Sequence, residues 1–214
     1  MITLVEINAL WPRQLEHGLD AMQLSLSEAQ HESLLGYLGL LARWNRAYNL
    51  TAVRDPAEMV RRQLLDSLSI LPWVTRGPVL DVGTGAGLPG IPLAVARPDL
   101  NFSLLDTNGK KTRFVQQVVG ELGLANVEVI KSRVEGLARN GHYALITSRA
   151  FATLADMQQT TAHLLAADGC WLAMKGADPR AEVGDLPPGF RVEVTPLLVP
   201  GEAGRRHLVV LQRD

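Results

Sequence analysis

Residues 80–90 read Leu-Asp-Val-Gly-Thr-Gly-Ala-Gly-Leu-Pro-Gly. Glycines at 83, 85, 87 and 90 let a backbone turn tightly and approach a ligand closely. Gly85 to Gly90 fits the G-x-G-x-x-G dinucleotide fingerprint, and Asp106 follows Gly83 by 23 positions, where an acid meets ribose hydroxyls. Alone, that pattern favours NAD. Asp81 argues against it, because a pyrophosphate at this turn would face a carboxylate at close range. A cationic head would be attracted instead. S-adenosylmethionine (SAM) has an ammonium, a sulfonium and no phosphate, so its methionyl end suits the Asp81 side of the turn. A loop for another nucleotide, or a plain tight turn, stays open.

Cations are the second group able to do chemistry. Arg133, Arg149 and Lys175 each follow a short apolar run. Converging there, they would suit guanine and phosphate contacts, the plainer reading being ion pairs with Asp81, Asp106 and Glu135. Lys110, Lys111 and Arg113 open a helix, where each cation opposes the macrodipole at up to about 1 kcal/mol. RNA phosphates would relieve that penalty. Arg43, Arg46, Arg54, Arg61 and Arg62 form a similar group nearer the N-terminus. Trp44 and Tyr48 could stack on RNA bases, but their helical spacing favours core packing. The five histidines show no metal-ligand spacing, so no metal is expected. Cys170, the one cysteine, reads as a structural thiol.

These groups need a scaffold. Residues 1–75 read as a helical extension. Ser27 and Gln30 make a capping box, with Leu34, Leu38 and Leu41 at helical spacing. Asp55 and Pro56 start a second helix whose stripe is Val60, Leu64, Leu68 and Leu71, stopped by Pro72. From residue 76 short apolar runs alternate with helical stretches. Strands are expected at 79–82, 102–106, 127–130, 143–147, 171–174, 191–198 and 207–212, with helices at 107–122 and 154–165. That alternation predicts an α/β fold with a mainly parallel sheet, helices on both faces, and the last two strands antiparallel. Residues 76–214 would be the ligand-binding core, forming one structural unit.

Composition limits the function classes. The chain has 214 residues, 47% hydrophobic and 20% charged, the profile of a folded protein. The net charge of −1 excludes a uniformly basic nucleic-acid coat. Residues 1–75 hold 6 basic and 8 acidic side chains, whereas residues 105–149 hold 7 and 4, so a local basic site is possible. Residues 77–96 carry one charge, but five glycines and three prolines among twenty positions rule out a membrane helix. The N-terminus lacks a basic run, so no secretory leader is expected.

Several blocks in fixed order resemble the RsmG (GidB) family. They are Trp44-Asn45-Arg46-Ala47-Tyr48-Asn49-Leu50-Thr51, Leu65-Asp66-Ser67, Asp81 to Pro92, Ser132-Arg133-Val134-Glu135, Ser148-Arg149-Ala150-Phe151-Ala152, Lys175-Gly176 and Arg206-His207-Leu208-Val209-Val210. The resemblance implies a Rossmann-like class I SAM-dependent methyltransferase with a seven-stranded sheet and one antiparallel last strand. It implies a cytoplasmic enzyme, expected to be a monomer, acting on 16S rRNA of the small ribosomal subunit at N7 of guanine 527 in the standard numbering. Gly83 and Leu88 would line the methionyl side of SAM, Val134 and Glu135 would frame the adenine, and Arg149 would sit between donor and substrate. Asp81, Gly85, Gly87 and Asp106 complete the expected cofactor set. Arg149, Lys175 and Arg133 are the expected catalytic residues, and Arg46, Arg62, Lys110 and Lys111 the expected RNA contacts. One departure stands out: Gln63 replaces a common family histidine, and an amide cannot titrate near neutrality. A methyltransferase for another RNA or a small molecule, an NAD-binding oxidoreductase and a non-enzymatic nucleotide-binding regulator are the alternatives.

Overall fold

A computed structural model of the chain describes residues 4–149, 153–176, 178–202 and 204–214. Residues 1–3, read above for a leader, and Ala150, Phe151 and Ala152 of one family block lie outside that set. Helix α1 spans Leu4–Ala21 and α2 spans Glu28–Tyr48. The Ser27 hydroxyl accepts from the Gln30 amide at 3.3 Å, and the Gln30 side chain accepts from the Ser27 amide at 2.8 Å. That capping box satisfies two of the donors that a helix start leaves unpaired. Gln30 also donates to the carbonyls of Val95 and Ala96, tying this helix start to the layer beneath it.

The second expected helix is broken into shorter pieces. Asp55 caps α3, Pro56–Met59, but Val60–Leu65 winds as a π-helix before α4, Asp66–Leu68, and a 3₁₀ turn at Leu71–Trp73. Val60, Leu64 and Leu68 are all buried, so the apolar stripe is satisfied despite the change of winding. Such π segments occur often at functional sites, and this one presents Arg62 and Gln63 to the cavity described below.

Seven strands form one sheet: β1 Val79–Val82, β2 Phe102–Asp106, β3 Val127–Lys131, β4 Tyr143–Arg149, β5 Leu165–Lys175, β6 Phe190–Leu197 and β7 Arg206–Arg213. Their order is β3-β2-β1-β4-β5-β7-β6. Only β7 runs against its neighbours. Two expectations need correction. The helix after residue 154 stops early: α7 is Leu154–Thr161, and β5 already begins at Leu165. The helix read from Thr107 starts instead at Gly109, so α6 is Gly109–Leu122 with Asn108 as its cap. Two helices were not foreseen, α5 at Gly90–Ala96 and α8 at Arg180–Gly184. Pro92 lies in the first turn of α5, where its missing N–H costs nothing.

Apolar side chains cover both sheet faces. Leu15, Leu34, Tyr37, Leu38, Leu41, Ile91, Phe114 and Val118 pack with Leu145, Leu172 and Leu208 on one face. Each such burial contributes roughly 1.5–3 kcal/mol. Val134, Leu154, Met157 and Trp171 pack with Leu80, Ile146 and Val209 on the other. The N-terminal helices therefore share a core with the sheet. Register sets the site. Asp81 lies opposite Thr147, Arg149 opposite Met174, and Lys175 opposite His207. The β1 loop, Arg149 and Lys175 thus emerge together at the edge where open α/β sheets bind ligands. Among the described residues, no helix is long and apolar enough to cross a membrane.

Candidate active site

The loop after β1 is held from beneath by two carboxylates. Asp81 is fully buried, and its Oδ2 accepts from the Thr84 hydroxyl at 2.6 Å and the Gly90 amide at 2.9 Å. Its Oδ1 has no partner among the described residues. Burial raises its pKa from 3.8 to about 6, against the opposing pull of those two hydrogen bonds and of Arg149. At the end of β2, Asp106 accepts from the amides of Gly85 at 2.9 Å and Asn108 at 2.8 Å. Above, Tyr37 of α2 donates to the Ala86 carbonyl at 2.9 Å. Burial drives the Tyr37 pKa well above the ordinary phenol value, so the hydroxyl remains a donor.

Within this frame the glycines do different jobs. Gly83 and Gly85 have φ of +69° and +61°, which a side chain rarely adopts. A Cβ at Gly83 would meet nothing within 4 Å, and one at Gly85 only the Gly83 carbonyl and the Lys111 ammonium at 3.9 Å. These two positions form an open cradle. Gly90 is required by crowding instead: a Cβ there would stand 2.1 Å from Leu104 and 2.7 Å from the Asp81 carboxylate. Gly87 is buried, and Leu88, 4% exposed, belongs to the core beneath the loop. Val134 is buried in a short 3₁₀ turn beyond β3, with Glu135 exposed beside it.

Beside Arg149 a cavity of about 470 Å³ straddles the sheet edge. Its walls come from distant parts of the chain: Thr51, Gln63 and Asp66 from the N-terminal segment, Arg149 and Lys175 from the ends of β4 and β5, and Arg206 and His207 from β7. Asp66 organises it. One of its oxygens accepts from Arg149 at 3.0 Å and the other from Arg206 at 3.1 Å. Arg149 also donates to the Arg62 carbonyl at 2.9 Å and to the Gln63 side-chain oxygen at 3.1 Å. Gln63, buried, passes the contact on by donating to the Thr51 hydroxyl at 2.9 Å. Lys175 donates to Glu182 of α8 at 2.7 Å. His207 is buried, and its Nδ1 lacks a partner among the described residues.

The expected residues divide accordingly. Arg149, Lys175 and Arg62 line the cavity. Arg133 does not line it. It is exposed beyond β3, three strands from β4, or about 14 Å at ordinary strand spacing. The plainer reading of ion pairs with Asp81, Asp106 and Glu135 does not hold for Arg149 and Lys175, whose partners are Asp66 and Glu182. Lys110 is exposed, and Lys111 leans over the loop at Gly85. Arg46 is exposed at the end of α2. Trp44 packs on Phe114 at 5.5 Å, which favours its core role, while Tyr48 is 46% exposed. Asp66, Glu182, Arg206 and His207 were missed as site residues, although three of them lay inside the family blocks. Among the described residues, no cluster of His, Cys, Asp or Glu is arranged to hold a metal.

Known proteins agree with this architecture. A methyltransferase from Geobacter sulfurreducens superposes with a TM-score of 0.60 at 16% identity, over 94% of this chain and 98% of that one. A SAM-dependent methyltransferase from Aquifex aeolicus gives 0.57 at 18%, over 77% and 97%. At those identities the likeness is one of fold. Sequence relatives are far nearer. A ribosomal RNA small subunit methyltransferase G from Marinobacter nauticus is 57% identical over 204 residues, 95% of each chain. The protein of that name from Ectopseudomonas mendocina is 55% identical over 204 residues, 94% of this chain and 95% of that one. The GidB family model, described as rRNA small subunit methyltransferase G, matches residues 30–209. With these blocks, this sheet order and this match over most of its length, the chain belongs to the GidB family.

Proposed function

We propose that this protein is a SAM-dependent methyltransferase of 16S rRNA that modifies N7 of one guanine, guanine 527 in the standard numbering. The observation that carries the reading is the cavity at the ends of β4 and β5, with Arg62, Arg149, Lys175 and Arg206 in its walls against two carboxylates, Asp66 and Glu182. Asp66 and Glu182 pair with three of those cations, and the walls keep a net positive charge that suits a polyanionic RNA.

The residues present fit SAM. The unpartnered Asp81 oxygen suits a cation brought to this loop, whose charge would pull the raised Asp81 pKa back down. The open faces of Gly83 and Gly85 leave room for it, and Asp106 keeps lone pairs for ribose hydroxyls. Val134 and Glu135, beyond β3, would frame the adenine. When bound, SAM supplies an electrophilic methyl group on sulfur.

Guanine N7 carries a lone pair and no proton, so the transfer requires no general base. The protein's task is placement. Arg149, locked by Asp66, Gln63 and the Arg62 carbonyl, is a rigid donor between loop and cavity. Lys175 donates to the guanine O6. Arg133, Lys110, Lys111 and Arg46, outside the cavity, serve the flanking phosphates, and Arg62 joins them at the rim. Action as a monomer belongs to the same proposal. Work on rRNA implies the cytoplasm. The test is chemical cleavage at 7-methylguanosine in 16S rRNA from cells with and without the protein. Loss of one cleavage on deletion, restored by the wild type and not by Arg149→Ala, is expected. An unchanged pattern would remove the function.

A further inference from the structure

We propose that Lys175 and Glu182 together read the target guanine, Lys175 through O6 and the free Glu182 oxygen through N1–H and the 2-amino group, an inference that rests on the rRNA methyltransferase reading. The pair is fixed in place. Glu182 Oε2 accepts from Lys175 Nζ at 2.7 Å and from the Leu154 backbone amide at 2.9 Å. Its other oxygen has no hydrogen-bond partner among the described residues, although Glu182 lines the cavity. Lys175 spends one of its three protons on Glu182, and two remain. The cavity wall thus presents a donor beside an acceptor.

Of the two purines, that order matches guanine. Guanine offers the O6 acceptor next to the N1–H donor, with the 2-amino donor beyond. Adenine offers its 6-amino donor next to the N1 acceptor, the reverse. Lys175 to O6, and the free Glu182 oxygen to N1–H and the 2-amino group, fits guanine. Adenine would set donor against donor and acceptor against acceptor, a mismatch that discriminates more strongly than lost apolar contact. His207 supports the same reading. It stands opposite Lys175 in the β5–β7 ladder, lines the cavity, and has an unpartnered buried Nδ1. Buried polar groups are ordinarily paired, so this atom points to a polar ligand. A cavity of about 470 Å³ lies within the ~300–1,000 Å³ of small-ligand pockets.

The experiment uses small subunits reconstituted with 16S rRNA carrying guanosine or inosine at the target position. Inosine keeps O6, N1–H and N7 but lacks the 2-amino group. The wild type is expected to lose about tenfold to hundredfold in kcat/KM on inosine. Glu182→Gln turns an amide donor toward the base, and its guanosine-to-inosine ratio should fall to near one. Glu182→Asp, which keeps the carboxylate, should recover part of that ratio. A purely structural role for Glu182 would slow both substrates alike and leave the ratio intact, which overturns the proposal. So would a wild type indifferent to inosine, an arm that needs no variant to fold. Failure of the wild type to methylate guanosine subunits would instead overturn the underlying activity.

Discussion

Asp81→Asn removes one charge from the floor of the glycine loop and almost no volume. Burial raises the folded-state pKa to about 6, above the unfolded value of 3.8, so the folded protein holds this proton more tightly. Stability drawn from the group is therefore fully present below about pH 4 and is lost as pH rises to about 6. At about 1.4 kcal/mol per pH unit, the gap amounts to about 3 kcal/mol. In the variant, the amide oxygen keeps the bonds from Thr84 and Gly90, while the amide nitrogen takes the unpartnered position. That buried donor costs about 1–3 kcal/mol, independent of pH. Urea denaturation of both proteins at stepped pH isolates the charge, because every other carboxylate contributes equally to the two curves. The wild type minus variant difference should fall by about 2–3 kcal/mol between pH 4 and pH 7. A cationic ligand favours the ionised form, so calorimetry at pH 8 should find SAM bound about tenfold more weakly by the variant. The reasoning is refuted by a difference curve flat to within about 0.5 kcal/mol.

Other perturbations test other parts of the site. Gly90→Ala forces a methyl group into Leu104 and Asp81 and should cost about 3 kcal/mol, read as a lower denaturation midpoint. Asp66→Ala frees Arg149 and Arg206 together, and kcat should fall far more than SAM affinity, since the loop itself is untouched. Stability in that variant should drop by about 1–3 kcal/mol, measured by thermal unfolding. Gln63→His places a titrating ring against Arg149. Its kcat at saturating SAM, divided by the wild-type value, should be near one at pH 8 and fall below about pH 6.5, because the protonated ring no longer accepts from Arg149.

Local signals in the sequence carried much of the fold. The Ser27–Gln30 capping box, the Asp55 cap and the strands through Asp81 and Asp106 are each set within a few residues, and short-range physics decides them. The π-helix at Val60–Leu65 was hidden because its buried residues satisfy an ordinary helical stripe. The early start of β5 was hidden by a bulge. Tyr143 pairs with Leu165 but Leu145 with Cys170, so the intervening residues leave the ladder and show no strand pattern. Gly169 marks that bulge, since a Cβ there would stand 2.7 Å from Leu165. In the site, Asp81 and Asp106 were visible because one motif holds them. Grouping Arg133 with Arg149 failed because strand order in space does not follow order along the chain. Asp66 was quoted in a family block without a role, and its partner Arg206 lies 140 residues away.

That separation has a consequence for biosynthesis. The glycine loop, β1 and β2 can assemble from the first half of the chain, yet Asp66 gains Arg206 only when the final strand slots between β5 and β6. At about 5–20 residues per second, the wait is on the order of ten seconds. Until then β6 lacks its neighbour, since among the described residues it pairs only with β7. A chain that ended before β7 would therefore lack Arg206 and His207 in the walls of the proposed RNA site, and Asp66 would hold Arg149 alone.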